Sequence, residues 1–163
     1  MAELHVETAS VASPEAVALR RAYAAEVGAV LGVHFEMAPD ADLAPPAGEF
    51  WLARLDGVAV GCLGVRLLGG RDAEQDAELN AEQDAELKRL FTTPAARGHG
   101  AARALMAEAE AWARGRGAQR LVLDTRSELT TACALYPRLG FDAVEAYNPG
   151  ATPADRWFAK VLG

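Results

Sequence analysis

The chain has 163 residues, of which 51% are hydrophobic, and a formal net charge of −7 at pH 7. This length suits one domain with a substantial core, so we expect a single domain over residues 1–163. The acidic balance disfavours nucleic acid as a partner, because that binding depends on Lys and Arg neutralising phosphates. The sequence has neither an apolar run of about 20 residues nor a signal-like N-terminus, so we expect a cytoplasmic protein without a membrane partner.

The two cysteines, Cys62 and Cys133, lie in a predicted strand and a predicted helix. Neither has a metal-ligating neighbour at a usable spacing. We therefore expect two buried free thiols and no bound metal.

The first part of the chain predicts a strand at Leu4–Thr8, followed by a helix. Ser13, Pro14 and Glu15 supply the cap, the first-turn proline and the first-turn acid that are typical of a helix start. The segment 34–48 contains three prolines, so it is predicted to be a loop or one short helix.

Two apolar runs, 50–55 and 58–68, predict the strands of a hairpin. Asp56 and Gly57 separate them, and this dipeptide is a strong signal for a two-residue hairpin turn.

A tandem repeat follows, in which residues 73–80 and 81–88 are identical at seven of eight positions. A solenoid would need several longer units, so we interpret the repeat as a local duplication that lengthens the connection to the next strand. Its acids either attract a cationic substrate or form a solvated protrusion. The second copy is the better candidate for ordered structure.

The rest of the chain alternates between the two element types. Strands are predicted over 86–92, 120–125, 141–146 and 156–162, and helices over 98–114 and 130–139. This order predicts a mixed α/β fold.

The segment 94–103 joins the strand at 86–92 to the helix that follows it. Gly98 and Gly100 allow a tight turn, and the N–H groups of the helix's first turn then point at an anion. Arg97 adds a mobile positive charge, so the loop predicts a phosphate site. A dinucleotide-binding loop with Asp124 as its acid is an alternative, but the turn before the glycines is long for that fold.

The spacing Arg97-x-x-Gly100-x-Ala102, with the downstream segment Ala-Leu-Tyr-Pro-Arg-Leu-Gly-Phe at 134–141, resembles the GNAT superfamily of acyl-CoA-dependent N-acyltransferases. The similarity runs from about residue 86 to residue 141 and is looser elsewhere. It implies an α/β fold of the α+β type. Helices would flank both faces of a mixed, mostly antiparallel sheet that splays between the 86–92 and 120–125 strands.

The resemblance implies acetyl-CoA as the cosubstrate. The strand would pair with the pantetheine amides, and a backbone N–H near Leu90 would stabilise the charge that develops on the thioester carbonyl oxygen. The loop would bind the pyrophosphate, with His99 as a neighbour of the diphosphate. The implied cofactor-binding residues are Leu90, Phe91, Thr92, Arg97, Gly98, His99, Gly100, Ala101 and Ala102.

By the same resemblance, Tyr136 either protonates the leaving thiolate or hydrogen-bonds to it, since a phenol keeps its proton near neutral pH. Attack requires an amine without its extra proton, and Glu86 is the candidate base. Glu78, at the equivalent place of the first repeat copy, is a rival. The alternative for Glu86 is a solvated acid without a catalytic role.

Two positions depart from the family pattern. Pro137 disfavours helical geometry at the residue before it, and Leu129 stands where many members have an Asn. These departures leave open a non-catalytic acyl-CoA-binding or regulatory module.

The function that we infer is transfer of an acetyl group from acetyl-CoA to a primary amine by direct attack, without a covalent enzyme intermediate. A small amine or amino-acid-like metabolite is the preferred acceptor, and a peptide amine is the second. The enzyme would be a monomer or a homodimer.

Overall fold

The structure is a computed structural model of the chain, and it describes residues 2–35, 37–68 and 84–163. The strands are β1 (Leu4–Thr8), β2 (Gly48–Leu55), β3 (Val58–Leu67), β4 (Asp84–Thr92), β5 (Arg120–Thr125), β6 (Asp142–Ala143) and β7 (Arg156–Val161). The helices are α1 (Pro14–Leu31), α2 (Ala101–Gly115) and α3 (Thr130–Arg138), and a 3₁₀ turn spans Pro94–Ala96. The first repeat copy, with Glu78, lies outside the described residues, as does the second copy before Asp84.

Hydrogen bonds join the strands in the order β1-β2-β3-β4-β5-β7-β6. The ladders of β1 with β2, β2 with β3, β5 with β7 and β6 with β7 are antiparallel, and that of β4 with β5 is parallel. The predicted fold class, α/β with a mixed and mostly antiparallel sheet, is confirmed. The chain divides into two compact units, the first comprising Met1–Arg66 and Leu87–Ala111 and the second Leu67–Glu86 and Trp112–Gly163.

The first unit is built on the hairpin of β2 and β3. Asp56 and Gly57 connect these strands with positive φ values of 50° and 83°, as a two-residue hairpin turn requires. Strand β1 pairs with β2 along its whole length. The next strand along the sheet is β4, and directly after its last residue the Thr93 N–H donates to the Val60 carbonyl at 2.8 Å.

Helix α1 belongs to the same unit, and its start is the one that the sequence predicts. Ser13 Oγ accepts a hydrogen bond from the Ala16 N–H at 3.3 Å, and Gly32 ends the helix with a left-handed φ of 69°. The buried core of the unit includes Val11, Ala16, Leu19, Leu43, Phe50, Leu52, Cys62 and Phe91.

A buried ion network joins α1 to β4 within this unit. The Asp40 carboxylate accepts two hydrogen bonds from Arg89 and one from Arg20, each at 3.1 Å. The side chains of Asp40, Arg20 and Arg89 are 8%, 4% and 16% exposed. Arg20 also donates to the carbonyls of Val11 and Ala38, at 2.7 and 3.1 Å. These bonds offset the cost of burying the charges.

Arg89 has a left-handed φ of 64° in the middle of β4. This conformation costs a non-glycine residue about 1–2 kcal/mol and persists only where the surroundings hold it. The guanidinium is bound to Asp40 and lies 5.7 Å from the centre of the Tyr23 ring, and the Arg89 carbonyl accepts from the Cys62 thiol at 3.3 Å. The network therefore fixes the backbone directly before Leu90.

In the second unit, β5 lies between β4 and β7. The parallel ladder runs from Asp84 opposite Arg120 to Glu86 opposite Val122. The Arg120 guanidinium also binds the Asp84 carboxylate, at 2.8 and 3.1 Å. Strand β5 pairs with the whole of β7, and the two-residue strand β6 pairs with the other edge of β7.

Two predicted boundaries differ from the structure by three residues. Helix α2 begins at Ala101 rather than at Gly98, because Gly98 and Gly100 have φ values of 89° and 85°, which are outside the helical region. Strand β6 ends at Ala143 rather than at residue 146. The Val144 N–H still bonds to β7 at 3.0 Å, but the residues that follow are held by side-chain hydrogen bonds, described below.

Replacing Asp40 by Asn should destabilise the fold strongly. Asn keeps the shape of the side chain and tolerates the left-handed φ of 56° at this position, but it removes the charge between the buried Arg20 and the half-buried Arg89. Breaking a buried ion pair in this way costs about 3–5 kcal/mol. Urea unfolding followed by circular dichroism should show a loss of this order in the free energy of unfolding.

Asp42→Asn is the matched control in the same segment. Asp42 accepts a hydrogen bond from Arg66, but these side chains are 45% and 35% exposed, and exposed ion pairs contribute only about 0–1 kcal/mol. Equal losses for the two variants would contradict the importance assigned to Asp40.

Candidate active site

The loop between β4 and α2 lies in the first unit. Gly98 and Gly100 both have positive φ, and a Cβ at either position would meet no described atom within 4 Å beyond the neighbouring residues. Conformation, rather than lack of space, therefore favours glycine here. The Gly100 carbonyl accepts from the Ala104 N–H at 3.0 Å. The N–H groups of residues 101–103 have no acceptor within the helix, and such groups are suited to bind an anion.

Arg97 forms an ion pair in the structure. Its Nη2 donates to both carboxylate oxygens of Glu26, at 2.7 and 2.9 Å, and its Nε donates to the Thr92 carbonyl at 3.2 Å. The Arg97 and Glu26 side chains are 42% and 41% exposed, and pairs at that exposure contribute about 0–1 kcal/mol. An incoming anion can therefore compete with Glu26 for the guanidinium. His99, two residues on, is exposed.

The residues Leu90, Phe91 and Thr92 lie in the same unit as the loop. Phe91 is 5% exposed and meets the Tyr23 ring edge to face, with 6.4 Å between ring centres. Its side chain therefore belongs to the core. Leu90 and Thr92 are half-buried, and Leu90 directly follows the left-handed residue Arg89.

Glu86 lies in the second unit and is buried, with 1% of its surface exposed. The alternative that it is a solvated acid is wrong. Its Oε2 accepts a hydrogen bond from the Tyr147 hydroxyl at 2.6 Å. Such a bond to a carboxylate is stronger than one between neutral groups, and burial strengthens it further.

Tyr136, in helix α3 of the second unit, is 9% exposed. Its ring packs against Phe141 and Phe158, with 5.8 and 5.5 Å between ring centres. The departure at Pro137 does not break the helix, which continues to Arg138. Pro137 lies in the last turn, so the helical hydrogen bond that its missing N–H removes is close to the helix end, and no further turn follows for the ring to disrupt.

A second polar cluster, which the sequence does not predict, lies in this unit at the end of β5. Asp124 accepts from Asn148 Nδ2 at 2.8 Å and from Thr152 Oγ1 at 3.0 Å. Asn148 Oδ1 in turn accepts from Trp157 Nε1 at 2.7 Å. The sequence contains one local signal for this cluster. An Asn-Pro-Gly segment, which is typical of a turn, follows Tyr147 directly.

Neither cysteine has the character of a nucleophile. Burial raises the pKa of Cys62 to about 12, and partial burial also raises the pKa of Cys133. The thiolate is the reactive form, so both thiols are deactivated at neutral pH. The prediction that both are buried holds for Cys62 and is wrong for Cys133, which is half-buried.

Across residues 2–35, 37–68 and 84–163, no three His, Cys, Asp or Glu side chains are grouped so as to hold a metal ion. In the same described ranges, no helix has the length and apolar character needed to cross a membrane.

The sequence profile of the Acetyltransferase (GNAT) family matches residues 17–141, which contain β4, the glycine loop, α2, β5 and α3. The chain belongs to the GNAT family. The predicted family resemblance is therefore confirmed, and it extends toward the N-terminus beyond the motifs that first indicated it.

Individual GNAT proteins are similar over much of the chain. The uncharacterized N-acetyltransferase YjgM of Escherichia coli is 33% identical over 107 residues, which are 66% of this chain but only 58% of YjgM. An inferred acyl-CoA N-acyltransferase from Klebsiella pneumoniae is 27% identical, with a TM-score of 0.76 and 98% of both chains covered. An inferred acetyltransferase from Salmonella typhimurium, solved with its cofactor acetyl-CoA, shares the fold, with 17% identity, a TM-score of 0.69 and coverage of 99% of this chain and 95% of that one.

A comparison of Gly100→Ala with Gly117→Ala should distinguish an effect on stability from an effect on ligand binding at the glycine loop. Both residues have positive φ, 85° and 77°, and open space around the missing Cβ, so each substitution should cost about 1–2 kcal/mol of stability. Only Gly100 caps α2 at the predicted phosphate site. Titration calorimetry should show weaker acetyl-CoA binding for Gly100→Ala alone, and equal binding by the two variants would contradict the assignment of the loop.

Proposed function

We propose that the protein transfers an acetyl group from acetyl-CoA to a primary amine. The observation that carries the proposal is the loop of Gly98 and Gly100, which opens α2 after the 3₁₀ turn that follows β4, within the segment that matches the GNAT family. A small amine or amino-acid-like metabolite is the proposed acceptor, with a peptide amine second. A single catalytic domain over residues 1–163 and a cytoplasmic location belong to the same proposal.

The proposed cofactor contacts use both main chain and side chain. The N–H groups at Gly100, Ala101 and Ala102 would bind the pyrophosphate, beside His99, and Arg97 would exchange Glu26 for a phosphate oxygen. The main chain of Leu90 to Thr92 would pair with the pantetheine arm. The Salmonella neighbour of the same fold contains acetyl-CoA, which supports this choice of cofactor.

The reaction needs stabilisation of a developing negative charge on the thioester oxygen. We assign that role to the Leu90 N–H, because a fixed backbone donor stabilises the oxyanion at no cost of reorientation. The left-handed residue before Leu90 is held by its own side chain, so the direction of this N–H is set before the ligand arrives.

Proton transfers complete the reaction. The amine nitrogen attacks the carbonyl carbon, the carbon–sulfur bond breaks, and the thiolate takes the proton of Tyr136. Glu86 receives the extra proton of the acceptor ammonium before attack, and the proton that the nitrogen loses as the amide forms replaces the one that Tyr136 gives to the thiolate. The burial of Glu86 and its hydrogen bond from Tyr147 support this role, because they hold a proton acceptor at a fixed place away from bulk solvent.

Tyr136→Phe tests the chemistry, and the wild-type rate with which it is compared tests the alternative of a non-catalytic acyl-CoA-binding module. The ring contacts with Phe141 and Phe158 remain, and only the hydroxyl is lost. General acid catalysis contributes about 10²–10⁴-fold, so kcat should fall by at least about 100-fold while the Kd for acetyl-CoA stays unchanged. Thiol release and mass spectrometry of the acetylated product, with panels of small amines and peptides, give the rates.

Wild-type protein that binds acetyl-CoA but acetylates none of these amines would support the binding module instead. Wild-type rates in Tyr136→Phe would remove the acid role of Tyr136 and leave the transferase proposal standing.

A further inference from the structure

The burial of Glu86 limits how it can serve as a base. With 1% of its surface exposed, its carboxylate is separated from solvent, and an acceptor amine can reach it only through a group that already touches it. Tyr147 is such a group, because its hydroxyl lies 2.6 Å from Glu86 Oε2.

Tyr147 has the chemistry for passing a proton. A phenol hydroxyl donates one hydrogen bond and accepts others, so it can receive a proton on its oxygen while it releases its own. Tyr147 is half-buried, in contrast to Glu86, so it lies nearer to the surface than the carboxylate to which it donates.

The position of Tyr147 is fixed by its neighbour in the chain. Asn148 is bonded to Asp124 of β5 and to Trp157 of β7, at 2.8 and 2.7 Å. The same Asp124 oxygen accepts from Thr152 at 3.0 Å. These bonds secure the loop on both sides of its turn, so that the Tyr147 hydroxyl is held against Glu86 without a ligand.

We propose that Tyr147 is a catalytic residue that carries the acceptor's proton to Glu86. This inference depends on the proposed acetyl transfer. The substrate ammonium gives its proton to Tyr147 Oη as the phenolic proton moves to Glu86 Oε2. The products of this step are a neutral amine, an unchanged phenol and a protonated Glu86, so charge and atoms balance. The neutral amine then attacks the thioester.

The test compares Tyr147→Phe, Glu86→Gln and the double variant with wild type, using the acceptor amine at saturating acetyl-CoA. Phe keeps the ring, and loss of a proton-transfer group should lower kcat/KM for the amine by about 100-fold or more. The double variant should be no slower than Glu86→Gln, because groups that act in series do not add. The Kd for acetyl-CoA should stay at the wild-type value in all of them.

Thr152→Val is the matched control. It removes a hydroxyl that anchors the same loop to Asp124 but leaves the phenol of Tyr147 in place. Its kcat/KM should fall much less than that of Tyr147→Phe, because Asn148 still anchors the loop to Asp124 and Trp157. A loss equal to that of Tyr147→Phe would assign the effect to the loop and overturn the relay.

A solvent isotope measurement on wild-type protein distinguishes proton transfer by Tyr147 from a role in which Tyr147 only positions Glu86. The relay moves two protons together, so kcat/KM should fall along a curve as the deuterium fraction of the solvent rises. A straight line, which a single proton in flight gives, would overturn the relay, as would normal turnover by Tyr147→Phe. Absence of acetyl transfer by wild type itself would instead overturn the proposed function.

Discussion

The bidentate pair between Asp40 and Arg89 is the interaction on which the path of β4 depends. A strand residue with a φ of 64° has lost the extended geometry of its neighbours, and glycine would meet that angle without strain. This chain has an arginine at that position, so the contacts of its side chain must offset the free energy that the strained backbone costs. Two parallel hydrogen bonds to one carboxylate fix orientation as well as position, and Arg20 binds the same carboxylate from α1.

Burial divides the candidate residues into two kinds. The glycine loop is exposed and offers backbone N–H groups to an anion that arrives from solvent, with Arg97 held by Glu26 in a pair weak enough to exchange. Glu86 is enclosed, and its hydrogen bond from Tyr147 is strong because little water competes with it. These environments suit the two tasks proposed for them, which are to bind a highly charged cofactor and to move a proton.

The sequence predicted best those features that a few neighbouring residues determine. The Asp56-Gly57 turn, the Ser13 cap and the glycines before α2 follow from backbone preferences, and the structure contains all of them. The side-chain networks were missed because their members lie far apart in the chain. Arg89 and Asp40 are 49 residues apart, Tyr147 and Glu86 are 61 apart, and Arg97 and Glu26 are 71 apart. No periodicity or local motif reports such contacts.

Binding of acetyl-CoA to the folded chain is the most direct test of the proposed cofactor. The thermal unfolding midpoint should be measured alone and with saturating acetyl-CoA, NAD or ATP. A ligand at 100 times its Kd stabilises the native state by about 2.7 kcal/mol, which for a domain of this size corresponds to a rise of several degrees. We expect that rise with acetyl-CoA and not with NAD or ATP. No rise with acetyl-CoA, or an equal rise with NAD, would contradict the assignment of an acetyl-CoA-dependent transferase.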